Sequence, residues 1–172
     1  MKVIIVGVLF SVTALAQNPP SRIAPACGPG DLSFKVKLDK SQHTVVQPPS
    51  GEAQVYFIQD KGPEPLGIGA TVFSRNGIDG QWVGMNKNNS YFSVSVKPGE
   101  HHVCAIVGAD GPVELSQFKA EAGHVYYFRE RLVPTGYEWL WFLNPVNSDE
   151  ANHLIESFPL SVSHPSKFSW RR

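Results

Sequence analysis

The chain holds few of the residues that announce a chemistry. Only two cysteines, Cys27 and Cys104, occur among 172 residues, and no C-x-x-C pair is present. That removes the usual signatures of thiol–disulfide oxidoreductases and of cysteine-rich zinc sites. There is no H-E-x-x-H stretch of the zinc peptidases and no G-x-S-x-G elbow of the α/β-hydrolases. Charge of one sign is lacking as well. Fifteen Lys and Arg face fifteen Asp and Glu, so no general field draws the chain to nucleic acid or to acidic lipid. The closing KFSWRR is locally basic, but it is short and falls in the stretch expected to be a frayed tail. Beyond the first residues, no apolar run approaches the roughly 20 residues of a spanning helix.

What is present starts at the N-terminus. Lys2 precedes an apolar run from Val3 to Leu15, interrupted only by Gly7, Ser11 and Thr13, and Ala14-Leu15-Ala16 ends it in a small-x-small pattern. This is the layout of a secretory signal peptide, with cleavage expected between Ala16 and Gln17. An uncleaved anchor would need a longer run, since this one is about 13 residues. A lipoprotein cut before Cys27 would need a Leu in the preceding Ala24-Pro25-Ala26. Loss of Lys2 with the leader would leave one acid in excess. In an exported chain, two cysteines read most simply as one disulfide between Cys27 and Cys104. A pair of redox or metal-binding thiols is the alternative.

The remaining chain suits one domain. Residues 17–50 are expected to be an extended lead-in carrying one strand, LSFKVKL (32–38), whose Leu32, Phe34, Val36 and Leu38 share a face. AQVYFIQD (53–60) is apolar on both faces, as a central strand would be, and KGPEPLGIG (61–69) is a loop. In ATVFSRNGIDGQWVGM (70–85), Asn76-Gly77 and Asp79-Gly80 compete as hairpin turns. Asp79-Gly80 is expected at the tip, with Asn76-Gly77 as a bulge. SYFSVSV and HHVCAIV flank Lys97-Pro98-Gly99-Glu100 and suggest a hairpin with Val96 opposite His101, Val94 opposite Val103 and Phe92 opposite Ala105. Residues 114–133 suggest another hairpin around Glu121-Ala122-Gly123, and YEWLWFLNP (137–145) a last strand. SDEANHLIESF (148–158) is the single expected helix, with Ser148 as its cap and Ala151, Leu154, Ile155 and Phe158 as its apolar stripe. The fold class is therefore mostly β: an antiparallel β-sandwich over residues 51–147, one short C-terminal helix at 148–158, and a tail at 159–172.

GEAQVYFIQDKG, IDGQWVGMNKNNSYFSVSVKPGEHHVCA and AEAGHVYYFRER occur in an order that resembles the bacterial domain of unknown function numbered 2846, itself similar to the PEGA surface modules. The resemblance covers about residues 51 to 131. This chain has Lys97 where the family's turn starts with a proline, and His124 where the family has a lysine. The resemblance implies an exported Ig-like or transthyretin-like sandwich. It implies no activity and supplies no catalytic residues, and it gives His101 a packing role in the turn.

Three constellations remain. His101, His102 and Cys104 could join His43, His124, His153 or His164 around zinc, but zinc needs three or four converging ligands, and neighbouring strand residues point to opposite faces. Asp60, Glu64, Glu114 and Glu121 show no spacing diagnostic of a glycosidase pair. Tyr137, Trp139 and Trp141 fall on one face of one strand, with Leu140 and Phe142 on the other. Exposed, that row would stack on sugar rings; buried, it would be core. The expectation is a non-enzymatic exported module of the bacterial envelope with no cofactor and no metal. Its candidate partners are an envelope protein or a glycan, and a carbohydrate-binding role for Tyr137, Trp139 and Trp141 is the alternative.

Overall fold

A computed structural model describes residues 27–29, 32–60, 71–108, 111–136 and 138–167. The expected signal peptide and the 61–69 loop lie outside them. The strands are β1 (Leu32–Asp39), β2 (Ala53–Gln59), β3 (Phe73–Ile78), β4 (Gln81–Lys87), β5 (Ser90–Val96), β6 (Gly99–Val107), β7 (Val113–Ala120), β8 (Val125–Pro134), β9 (Trp139–Val146) and β10 (Leu160–Lys167), with helix α1 (Ser148–Ser157) before the last. They form two sheets, a larger one in the order β1-β10-β5-β2-β8-β9 and a smaller one in the order β4-β3-β6-β7. The mostly-β, two-sheet expectation holds.

The larger sheet is built around β2. Every residue of AQVYFIQ is buried, because the strand is covered on both faces. Val55 and Phe57 enter the core between the sheets, where Phe57 stacks on Phe92 and Phe128. Tyr56 and Ile58 point the other way, under the Ala151, Leu154, Ile155 and Phe158 stripe of α1. Such a strand loses the polar–apolar alternation of a half-exposed one. Its neighbours differ in sense: β5 is antiparallel to β2 and β8 is parallel to it.

A parallel neighbour cannot be joined by a tight turn, and the chain instead passes through the smaller sheet between β2 and β8. Two expected hairpins are corrected by this route. The Lys97–Glu100 segment carries the chain from the larger sheet into the smaller one. Val96 pairs with Ala53 rather than with His101, and His101 pairs with Phe118. Likewise the Glu121–Gly123 segment leads from β7 back to the larger sheet, where β8 pairs with β2 and β9 rather than with β7. The apolar row of each strand points into the same core in either topology. Val94, Val96, Val103 and Ala105 all meet there, but across the sandwich instead of side by side.

The hairpin at 73–87 is as expected. Asp79 and Gly80 have φ of 49° and 77°, the left-handed pair of a type I′ turn. The register shifts between Asn76 and Gly77, which places the bulge there.

Two further corrections concern the C-terminal part. Asn147, not Ser148, caps α1, its side chain accepting from the Glu150 backbone N–H at 2.9 Å. The 159–172 segment is not simply a tail, because Leu160–Lys167 forms β10 along the whole of β1. Its hydroxyls also close the exposed edge of β4: Ser161 donates to the Met85 carbonyl at 2.6 Å, and Met85 N–H donates to Ser163 at 3.2 Å. The sandwich thus includes β1 and β10, outside the expected 51–147.

Candidate functional site

The disulfide joins Cys27 to Cys104 across 77 residues of sequence, with Cα atoms 5.1 Å apart. Cys104 lies on the outer face of the smaller sheet beside Ile106, and Trp82 of β4 lies next to them; all three, with Cys27, are buried. The lead-in covers this face. Trp82 Nε1 donates to the Pro29 carbonyl at 2.6 Å, and the Arg75 guanidinium stands 4.8 Å from the Trp82 ring centre while donating to the Leu32 carbonyl. Gly77 makes the fit possible, since a Cβ there would come within 2.1 Å of the Cys27 carbonyl oxygen. Both thiols are therefore consumed in a covalent staple.

The HHVC stretch forms an arch rather than a ligand set. His101 is placed by the crossover from β5 to β6. One ring nitrogen lies 2.6 Å from the Asp79 carboxylate and the other 2.7 Å from the Lys97 carbonyl, and the ring packs against Phe118. Two acceptors on two nitrogens call for the doubly protonated imidazolium. Burial opposes that charge, but the Lys97 and Asp79 acceptors outweigh it and raise the His101 pKa above 6.5. Asp79 is lowered from 3.8: burial pushes it up, and the His102 backbone N–H and His101 pull it down further. His102 itself points to solvent. His43 sits between the carbonyls of Phe158 and Lys40, and His124 lies 3.3 Å from the Ala122 carbonyl. Among the described residues, no three His, Cys, Asp or Glu side chains gather closely enough to hold a metal ion.

The aromatic row on β9 faces inward. Trp141 is 2% exposed and belongs to the core with Leu143, whereas Leu140, on the opposite face, is 42% exposed. Trp139 is half-buried, and Tyr137 lies outside the described residues. Trp141 cannot offer its ring face to a sugar in this fold, which removes the flat platform. The strand is at the rim of the larger sheet, and the row that carries most apolar area is the one turned to the core.

An open groove of about 410 Å³ lies instead where β7 approaches β8 and the end of β9. Phe118 and Tyr126 line it with ring centres 4.9 Å apart, above Phe128. Its polar groups are the neutral Ser116, Gln117, Asn147 and Ser148. No sequence pattern pointed to it, because it arises from the crossover that separates β7 from β8.

A third assembly ties β2, β8 and α1 on the outside of the larger sheet. Arg129 donates through Nε and Nη2 to Asp60, at 2.7 Å for the shortest contact, and through Nη1 to Glu150. On the opposite side of the same strand, Glu130 is wholly enclosed between the sheets. Burial pushes its carboxyl up to about 7, against the opposing pull of Ser74, Asn86 and Asn76. Tyr126, Phe128, Glu130 and Leu132 alternate with Tyr127, Arg129 and Arg131. A carboxylate at a core-facing position of that alternation is therefore visible in the sequence.

No known protein family, no curated protein and no solved structure matches the chain.

Proposed function

We propose that this protein is an exported, non-catalytic module of the bacterial cell envelope, acting by binding or by structure. The observation that carries the reading is the Cys27–Cys104 staple, which fastens the lead-in over Trp82 and Ile106. Structural disulfides persist in oxidising compartments and are rare in reducing ones. The apolar leader with its Ala14-Leu15-Ala16 ending supplies a route to such a compartment. No described helix is long and apolar enough to cross a membrane. The groups that could do chemistry hold elements together: His101 clasps the crossover to the Asp79 turn, and Arg129 joins β2, β8 and α1. A fold alone assigns no activity.

The groove favours a second reading within the same class. Its aromatic floor and neutral hydroxyl and amide rim match the chemistry of an uncharged glycan, with ring faces for stacking and amides for hydroxyls. The test of export is a fusion of the chain to alkaline phosphatase, which is active only outside the cytoplasm. Activity that disappears when residues 1–16 are deleted is the expected result. A fusion that is inactive with its leader intact, or active without it, contradicts the reading. For the groove, Tyr126→Ala should abolish retention on an insoluble cell-wall glycan column while the fold is kept. Equal retention of the variant contradicts the glycan reading alone.

A further inference from the structure

Among the described residues, Glu130 is the one carboxyl enclosed between the sheets, and its surroundings are unusual in what they lack. Asn86 of β4 donates through Nδ2 to Glu130 Oε1 at 3.3 Å and to the Phe57 carbonyl at 3.1 Å. Ser90 donates to Asn86 Oδ1 at 3.4 Å, which fixes which way that amide points. Ser74 donates to Gln59 Oε1, and Gln59, beside Glu130 in the β2–β8 register, donates to the Val72 carbonyl. Asn76 Nδ2 is turned to the Ser74 carbonyl at 3.5 Å. Three buried polar atoms are then left over among the described residues, the acceptors Glu130 Oε2 and Asn76 Oδ1 and the donor Trp141 Nε1 of β9. The Asn76 side chain reaches the Glu130 carboxyl; an amide N–H turned to it would favour the charged form, but Nδ2 is turned to the Ser74 carbonyl and leaves Oδ1 as the free atom.

Both acceptors lack a donor, and each orphan carries a desolvation cost of about 1–3 kcal/mol. One proton on Oε2 satisfies both, because a protonated carboxyl donates. We propose that Glu130 is kept as a neutral carboxylic acid in the folded protein, its Oε2–H donating to Asn76 Oδ1, so that a bound proton ties the larger sheet to the smaller one.

The charged groups around the site agree with this. Asp60, at the end of β2, adds a negative charge that opposes ionisation. Arg129 and Arg131 flank Glu130 on β8 and alternate to the other face, where Arg129 is taken by Asp60 and Glu150. Arg75 of β3 lies on the outer face of the smaller sheet, over Trp82. Ser74, Asn76, Asn86 and Gln59, which face the carboxyl from β3, β4 and β2, are uncharged. No described cation faces it.

The pH dependence has a definite sign. The folded state holds the proton up to about pH 7, while the unfolded chain releases it near 4.5. Between those values the folded state binds more protons, so this tie is complete below about pH 4.5, weakens as pH rises and is gone above about 7. Its loss lowers the folding equilibrium constant on the order of a hundredfold over that window.

Glu130→Gln keeps the shape and replaces the O–H by an N–H donor that does not titrate. Urea unfolding of wild type and variant across pH 4–8 gives their difference, in which every other titrating group cancels. The expected result is near-equal stability at pH 4.5 and a variant favoured on the order of a hundredfold at pH 8. A difference that stays flat, or that favours wild type as pH rises, overturns the proposal. Should the variant fail to fold, the ¹³Cδ resonance of Glu130 in the wild-type protein decides. A titration midpoint near 7 supports the bound proton, and one at or below 4.5 refutes it.

Discussion

Replacing Cys27 and Cys104 together by alanine removes the staple and leaves the rest of the chain unchanged. The crosslink spans 77 residues, and the chain-entropy relation for a loop of that size gives about 4.5 kcal/mol of stabilisation, exerted through the unfolded state. That is a large part of the 5–15 kcal/mol typical of a domain. The folded state should change less. Pro29 can still accept from Trp82, and Gly77 still leaves room for the lead-in. Urea unfolding followed by the fluorescence of the buried Trp82 and Trp141 is the assay. With a slope of about 2 kcal/mol/M, the midpoint should fall by roughly 2 M. Cys27→Ala alone should match the double variant to within about 0.5 kcal/mol, since one missing sulfur already breaks the bond. A loss below about 1 kcal/mol for the double variant would refute the reasoning. It would mean that the lead-in hardly restrains the unfolded chain and that the covered face of the smaller sheet is held by packing alone.

Gly77→Ala drives a methyl group into the Cys27 carbonyl oxygen; it should cost about 2 kcal/mol or more and make the disulfide reducible by mild thiol, read as faster labelling of the cysteines. The His101–Asp79 pair should stabilise the fold most between about pH 4 and 6.5: the raised His101 contribution is complete below its unfolded value and lost as pH rises through its folded one, while the lowered Asp79 contribution is lost as pH falls. His101→Ala should remove about 1 kcal/mol in that window and less at pH 8, seen as a pH-dependent gap between two melting curves. Trp141→Ala should cost about 3–5 kcal/mol because it empties the core, whereas Leu140→Lys on the opposite face should change stability by less than about 0.5 kcal/mol in urea unfolding. Arg129→Met leaves the Asp60 and Glu150 carboxylates without their shared partner and should cost about 1–3 kcal/mol, accompanied by faster amide exchange in α1.

Local chemistry made some features legible. Asp79-Gly80 has the residues that a type I′ turn demands, so the tip of that hairpin was readable from two letters. The double-sided apolarity of AQVYFIQ marked a central strand, and the stripe of α1 marked the face that covers it. Longer-range choices were not written in the same way. A strand with an inward apolar row looks the same whether its neighbour in sequence pairs beside it or crosses to the opposite sheet, so in the sequence the segments at 97–100 and 121–123 read as hairpins. LSVSHPSK has little apolar area and contains Pro165, which argues against a strand. It forms one because β10 is paired to β1 throughout but touches β5 only at Leu160, leaving Pro165 with a free flank where no N–H is needed. In WLWFLNP the alternation was plain, yet only the position of β9 at the rim of the sheet decides which row is covered. The groove at Phe118 and Tyr126 depends on that same topology and left no local trace.

The central claim is that this is a stapled, exported protein, and the most direct test is the intact mass of the chain recovered from its own host, taken without reduction and again after it. The account predicts a mature chain that begins at Gln17 and gains two hydrogens on reduction, as one Cys27–Cys104 bond requires. A chain that keeps residues 1–16, or one whose mass does not change on reduction because both thiols are already free, would contradict it.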